Sequence, residues 1–188
     1  MLGEAGSRTI LKILVECKHM KNRIVINFRP IKRSDIQNYV RWLNNPKANE
    51  FIGDGMKVSI KSATKWFNDY LKDRNKFFFI ILDEKKAVGF MGLKNISKRN
   101  KNAELFICIG EDEYRGRGVG KKAMEWLINY GLDKLKLHKI NLGVFEENII
   151  AVKLYKSLGF KIEGKMKDDA FFHGKFHDML SMAIFNKN

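Results

Sequence analysis

Apolar positions recur along this chain with two periods, and the switches between them mark out its elements. Residues 23–28 set Ile24, Ile26 and Phe28 against Val25 and Asn27, the alternation of a strand, with Pro30 closing it. The run Ser34-Asp35-Ile36-Gln37 reads as a capping box. It opens a helix to about Leu43 with Ile36, Tyr39, Val40 and Leu43 on one face. Asn44-Asn45-Pro46 stops it. A second helix starts near Ser59 and carries Ile60, Ala63, Trp66, Phe67, Tyr70 and Leu71. Residues 76–82 (K-F-F-F-I-I-L) are apolar almost throughout, as in a strand buried on both faces. A polar turn at 83–86 leads to strands over 87–93 and 103–110, joined by a polar loop over 94–102.

Beyond a glycine-rich segment the period returns to helical, with Val119, Ala123, Trp126, Leu127 and Tyr130 in phase. Residues 139–145 form a strand on the alternation of Ile140, Leu142 and Val144. Residues 148–158 form a helix that Gly159 terminates. A further strand begins at 160–162, and 171–185 holds the last. The strand–loop–helix–strand unit over 103–145 predicts one parallel crossover inside an otherwise antiparallel sheet.

Composition narrows the function. At 188 residues, 45% apolar and 30% charged, the chain fits one globular domain. Residues 1–22 are expected to be a poorly ordered extension and 23–188 the functional domain. No apolar run reaches membrane-spanning length, and the Ile10-to-Val15 patch, broken by Lys12, is a poor signal peptide. Cys17 and Cys108 fit no metal spacing, so a reduced, cytoplasmic, metal-free protein is expected. His173 and His177 stand four apart but in a strand and hairpin, which argues against a zinc pair. The formal charge of +15 favours a polyanionic ligand, yet the lysines are scattered, so charge alone does not indicate nucleic acid.

The candidate chemistry begins at 114–122, Y-R-G-R-G-V-G-K-K, where Gly116, Gly118 and Gly120 lie between basic clusters ahead of a helix. Glycine permits left-handed backbone and close approach, and a helix start offers unpaired N–H groups at the positive end of its dipole. Together they make a pyrophosphate seat. A dinucleotide fingerprint begun at Gly116 fails at Lys121, where glycine is required. A Walker A loop fails at Arg115, in place of its first glycine, and at Lys122, in place of its hydroxyl. What remains is R-x-x-G-x-G, Arg115 to Gly120. A second group, Asn148, Tyr155, Gly159 and Phe160, follows in E-N-I-I-A-V-K-L-Y-K-S-L-G-F, with Asn148 and Tyr155 about two turns apart on one helix face. Without the glycine loop, a core role for Tyr155 with its hydroxyl satisfied would be the better account.

On these two motifs, in this order and spacing, the chain resembles the GNAT superfamily of N-acetyltransferases from about Ile24 to Phe185. The segments F-R-P-I-K-R-S-D-I and W-L-N-N-P, with the ending F-F-H-G-K-F-H-D-M-L-S-M-A-I-F, resemble the branch that holds spermidine, ribosomal-protein N-terminal and amino-sugar acetyltransferases. The resemblance implies an α+β fold: a mixed, mostly antiparallel six- to seven-stranded sheet with helices on both faces and a V-shaped opening between two central parallel strands. It implies acetyl-coenzyme A as donor and a primary amine of a small molecule, a polyamine or amino sugar, as acceptor. Alternatives are a protein N-terminus as acceptor, or a non-catalytic coenzyme A- or nucleic-acid-binding module. A homodimer or larger homo-oligomer is also implied.

The same resemblance assigns roles. Backbone groups of Phe106, Ile107, Cys108 and Ile109 pair with the pantetheine arm. Gly116, Arg117, Gly118, Val119, Gly120 and Lys121 hold the pyrophosphate, with charge added by Arg115 and Lys121, and Asn148 bonds the arm. An attacking amine must be neutral, although a free alkylamine has a pKa of about 10.4, and the departing thiolate must be protonated. Tyr155 is the expected acid and Glu104 the expected base. Asn45, Glu50, Phe51, Asp54, Phe171 and Phe172 are expected near the acceptor.

Overall fold

The computed structural model describes residues 24–48, 57–172 and 174–187. The expected extension and the acceptor candidates Glu50, Phe51 and Asp54 lie outside the described residues. The chain runs β1 (Ile26–Pro30), α1 (Ile36–Leu43), α2 (Ile60–Tyr70), β2 (Phe77–Asp83), β3 (Lys86–Ser97) and β4 (Asn102–Ile109). It continues through α3 (Val119–Asn129), β5 (Lys139–Phe145), α4 (Ile149–Ser157), β6 (Lys161–Phe172) and β7 (Lys175–Phe185). The strands form one seven-stranded sheet in the order β1-β2-β3-β4-β5-β7-β6. Every neighbouring pair is antiparallel except β4 and β5.

The unbroken apolar run of β2 does what its pattern predicts. Phe78 and Ile80 face one layer, with Ile36, Trp42, Ala63, Phe67, Phe90 and Cys108. Phe79 and Ile81 face the other, with Val119, Ala123, Met124, Leu127 and Val152. The helices therefore sit on both faces, α1 and α2 on one and α3 and α4 on the other, each burying an apolar stripe.

One local expectation holds and two are corrected. Pro30 is the last residue of β1, opposite Phe79, and closes the strand as its ring requires. β1 is an edge strand, where a residue without an N–H is tolerated. Ser34 does not cap α1. A 3₁₀ turn over Arg33–Asp35 comes first, and the Asp35 carboxylate accepts the Lys32 N–H (2.7 Å) and both Arg29 guanidinium nitrogens (2.7 Å each). The polar residues 94–97 are strand, so the β3–β4 connection is short. Lys94 faces Glu104 in register and its Nζ lies 2.7 Å from that carboxylate. A cross-strand ion pair stabilises pairing without leaving a hydrophobic pattern to read.

Candidate active site

β4 and β5 run parallel only as far as Glu104↔Asn141. Beyond that point β5 stays with β7 to Phe145, β4 stays with β3 to Ile109, and the two splay apart. Among the described residues the backbone edge of β4 past Glu104 then has no partner strand. Which groups face the opening follows from the antiparallel alternation. The Gly110 N–H bonds the Val88 carbonyl (2.9 Å), which turns residues 110, 108 and 106 towards β3. On the opposite edge the Lys139 N–H bonds the Lys101 carbonyl (3.1 Å), so odd-numbered residues face β5. Leu105, Ile107 and Ile109 thus point their main-chain groups into the opening. The expectation for Phe106 and Cys108 is corrected: their N–H and C=O groups belong to the β3 ladder. The Cys108 side chain is buried, and burial pushes its thiol up to about 12.

At the mouth of the opening stands the glycine segment. Gly116 and Gly118 adopt φ of +69° and +77°, conformations that a side chain strains. A Cβ at either would meet nothing within 4 Å, so backbone shape, not crowding, calls for glycine there. Gly118 caps α3. The first main-chain bond of the helix is Lys122 N–H to Gly118 O (3.1 Å), which leaves the N–H groups of Val119, Gly120 and Lys121 without helical acceptors. The Val119 side chain is buried in the core, whereas Lys121 is exposed. Gly120 has ordinary φ, and a Cβ on it would lie 3.8 Å from Ile109 Cγ1 and 3.9 Å from Leu154 Cδ2. Among the described residues nothing excludes a side chain there. The same two distances bring the end of β4, the start of α3 and the body of α4 together at one point.

Arg115 departs from its expected role. Its Nε and Nη2 donate to the Ile109 carbonyl (3.1 and 3.0 Å), and its Nη1 donates to the Lys47 carbonyl (2.7 Å). The guanidinium braces the end of β4 to the turn after α1 and is not turned towards a phosphate. The Ile109 carbonyl is thereby occupied, and Ile107 becomes the main acceptor left in the opening. Arg117 is exposed, with its guanidinium 6.0 Å from the centre of the Tyr114 ring. The preceding turn is fixed by the Tyr114 hydroxyl donating to Asp83 (2.9 Å) and by Glu111, which accepts from Arg41 and from Trp42 Nε1 (2.9 Å). Gly110 is glycine because a Cβ would sit 2.2 Å from the buried Trp42 ring.

α4 follows directly on β5. Asn148 is its N-cap, with Oδ1 accepting the Ala151 N–H (3.1 Å). That fixes the amide and leaves Nδ2 as the donor. Gly159, at φ +95°, ends the helix, and the Phe160 N–H returns to the Tyr155 carbonyl (3.1 Å). Tyr155 is half-buried, its ring 5.9 Å from that of Phe160. Burial pushes its hydroxyl up to about 12. No protein group among the described residues bonds that hydroxyl.

The expected acceptor residues do not all gather. Glu104 shares the α1/α2 face of β4 with Phe106, and both of its oxygens are engaged, by Lys94 (2.7 Å) and by Asn95 Nδ2 (3.0 Å). Phe106 joins an aromatic wall with Phe78 and Phe90, continued by Tyr39 and Trp66. Asn45 uses its Oδ1 to accept the Lys47 N–H (3.1 Å). Phe172 is corrected: it is buried against Phe145 and His177, because alternation along β6 turns it inward. Phe171 is turned outward, 62% exposed, with its ring on Phe176. Sequence reasoning missed the Lys94 and Asn95 clamp on Glu104 and the buried His177, and their patterns carry no local signal for either.

A sheet that splays beside a glycine-capped helix N-terminus, with a phenol on the next helix, defines a scaffold for an extended, phosphorylated acyl carrier. The chain belongs to the family described as the acetyltransferase (GNAT) domain, whose model matches residues 28–181, and is an acetyl-coenzyme A-dependent N-acetyltransferase. It is 27% identical over 161 residues to spermidine N(1)-acetyltransferase of Escherichia coli K12, covering 85% of this chain and 86% of that one. The structure of spermidine N-acetyltransferase from Vibrio cholerae in complex with CoA and spermine superposes with a TM-score of 0.81. It is 27% identical and covers 85% of this chain and 95% of that one. A dodecameric structure of the Vibrio enzyme superposes with a TM-score of 0.76 at 27% identity, covering 85% and 93%. Among the described residues no helix is long and apolar enough to cross a membrane.

Proposed function

We propose that this chain transfers the acetyl group of acetyl-coenzyme A to a primary amine of a polyamine such as spermidine. The observation that carries the reading is the loss of β4–β5 pairing beyond Glu104↔Asn141, with the glycine loop at the mouth of the gap. The residues present fit the donor. The N–H groups of Val119, Gly120 and Lys121, with the Lys121 ammonium, hold a pyrophosphate over open space. Gly116, Arg117 and Gly118 shape the loop. Ile107, with the Ile109 N–H, pairs with the pantetheine arm as a strand would, and Asn148 Nδ2 donates to it. Bound acetyl-coenzyme A supplies an activated thioester carbon.

The chain's own groups manage the protons. Tyr155 Oη keeps its proton at neutral pH, because burial holds it well above the working range, and gives it to the departing sulfur. Glu104 receives the proton lost by the amine, directly after releasing Lys94 or through water. The methylene segments of a polyamine lie beside Phe106, the partly exposed edge of the buried aromatic cluster. Asn45, Glu50 and Phe51 stand as further acceptor contacts from the α1–α2 connection. The names of the relatives and the spermine in the Vibrio complex support the acceptor class.

A homo-oligomer completes the reading. Ile162, Met166, Phe171 and Phe176 are exposed apolar side chains on the β6–β7 hairpin, set among charged ones, and the dodecameric neighbour supports assembly. Thiol release from acetyl-coenzyme A, measured across spermidine, spermine, amino sugars and peptides with free N-termini, tests the proposal. Saturable turnover with the polyamines supports it, and turnover confined to another class refutes it.

A further inference from the structure

Ile150 is the most exposed large apolar side chain among the described residues, at 85%, and its neighbour Ile149 is 54% exposed. Both stand in the first turn of α4, directly after the N-cap Asn148. Water gains nothing from such a surface, and covering it is favourable. A lone exposed apolar side chain is ordinary, so its place in the fold decides what it means.

β4, β5 and β6 point the same way, since β5 is parallel to β4 and β6 is two antiparallel steps from β5. α3 returns from the end of β4 to the start of β5, and α4 from the end of β5 to the start of β6. Both helices therefore begin at the end of the sheet where β4 and β5 splay. Leu154 lies in the second half of α4, and its Cδ2 is 3.9 Å from where a Cβ on Gly120, the second residue of α3, would stand. Leu154 is thus level with the start of α3, and the first turn of α4 stands out past it. Ile150 and Leu154 share one helix face, about 6 Å apart along the axis. Helical side chains lean towards the N-terminus. Ile150 therefore flanks the space in front of the N–H groups of Val119, Gly120 and Lys121, which have no helical acceptors.

Ile150 lies about 140° round the axis from Tyr155, so the two side chains serve different ends of a ligand. Tyr155 belongs with the thioester, and Ile150 with what lies beyond the phosphates. In coenzyme A that is adenosine. We propose that Ile150 is a binding residue for the adenosine end of coenzyme A, its exposed side chain serving as the apolar rest for the adenine ring. The inference rests on the function proposed above. The base has a flat, weakly hydrated face, and laying it on Ile150 removes apolar area of both from water. Ile149 lies about 140° round the axis from Leu154, turned away from α3, and takes no part.

Equilibrium binding to the full chain tests this without an acceptor or chemistry. The probes are coenzyme A, adenosine 3′,5′-bisphosphate, which lacks the arm, and 4′-phosphopantetheine, which lacks the adenosine. Ile150→Ser alters an exposed position and leaves the core intact. It should weaken coenzyme A and adenosine 3′,5′-bisphosphate by about tenfold, the scale of one well-covered aliphatic side chain, and leave 4′-phosphopantetheine unchanged. Ile150→Phe keeps an apolar surface and should restore both. Ile149→Ser should bind all three as the wild type does. Equal loss of 4′-phosphopantetheine in Ile150→Ser would put the side chain on the arm. Unchanged coenzyme A affinity would remove it from the site, and a smaller assembly in sedimentation would then make it a subunit contact. Each of these outcomes overturns the inference and leaves the proposed function intact. Failure of the wild-type chain to bind coenzyme A overturns that function, and this inference with it.

Discussion

Arg115 donates twice to the carbonyl oxygen of Ile109, at 3.1 and 3.0 Å, and so occupies the main-chain acceptor at the far end of β4, leaving that of Ile107 open. Its third bond, to the Lys47 carbonyl (2.7 Å), ties that end to the turn leading towards the acceptor side. A bond to a charged donor contributes about 1.5–3 kcal/mol. Arg115→Ala should therefore lower stability by about that amount in urea unfolding, with coenzyme A affinity changing less than in Lys121→Glu. Unchanged stability together with a flattened salt dependence of coenzyme A binding would place the guanidinium on a phosphate instead.

The two kinds of glycine in the loop separate backbone shape from ligand approach. Gly118 has φ +77°, where an L-residue costs about 1–2 kcal/mol. Gly118→Ala should lose stability by that order and bind coenzyme A weakly. Gly120 has room for a Cβ, and alanine is the better helix former by about 1 kcal/mol. Gly120→Ala should keep or gain thermal stability and still lose about tenfold in coenzyme A affinity, or 1.4 kcal/mol. Equal affinity in Gly120→Ala and wild type would move the pyrophosphate elsewhere.

Acid stability should report on Asp35. Burial pushes its carboxyl up, but hydrogen bonds from Arg29 and from the Lys32 N–H outweigh burial and hold it below its ordinary value. A carboxyl lowered in the folded state stabilises at pH above its unfolded value of 3.8. That contribution is lost as pH falls through the folded value. Arg29 is 28% exposed, so the pair is partly screened. Asp35→Asn should cost about 1–3 kcal/mol at pH 7, and variant and wild type should converge once pH falls below the lowered folded value. A gap of the same size at both pH values would exclude ionisation as the cause.

Elements with a strong period were legible in the sequence. β2 reads as doubly buried and is, β5 occupies the alternating stretch 139–145, and Gly159 ends α4 in the left-handed conformation. The glycine loop, the Asn148 and Tyr155 helix and the parallel crossover were legible because each depends on residues close in sequence. The rest depends on partners. Whether Phe106 or Ile107 points its backbone into the opening is decided by register against β3, which β4's own residues do not encode. Arg115 is long enough to reach a phosphate or a carbonyl, and only the folded turn at Lys47 selects the carbonyl. Residues 94–97 carry no apolar pattern, since their strand is held by Lys94 and Glu104. His177 is legible only as part of a strand and hairpin, and its contact with Glu147, 30 residues earlier in the chain, leaves no local signal.

The most direct test of the account is the rate of coenzyme A release with spermidine as acceptor, measured for the wild-type chain and for Tyr155→Phe beside their coenzyme A affinities. The account predicts saturable release by the wild type. In the variant it predicts unchanged affinity and a kcat lower by about 10²–10⁴-fold, the range of a positioned general acid. Wild-type rates in Tyr155→Phe would remove the phenol from the chemistry, and no release with spermidine despite tight coenzyme A binding would contradict the proposed acceptor.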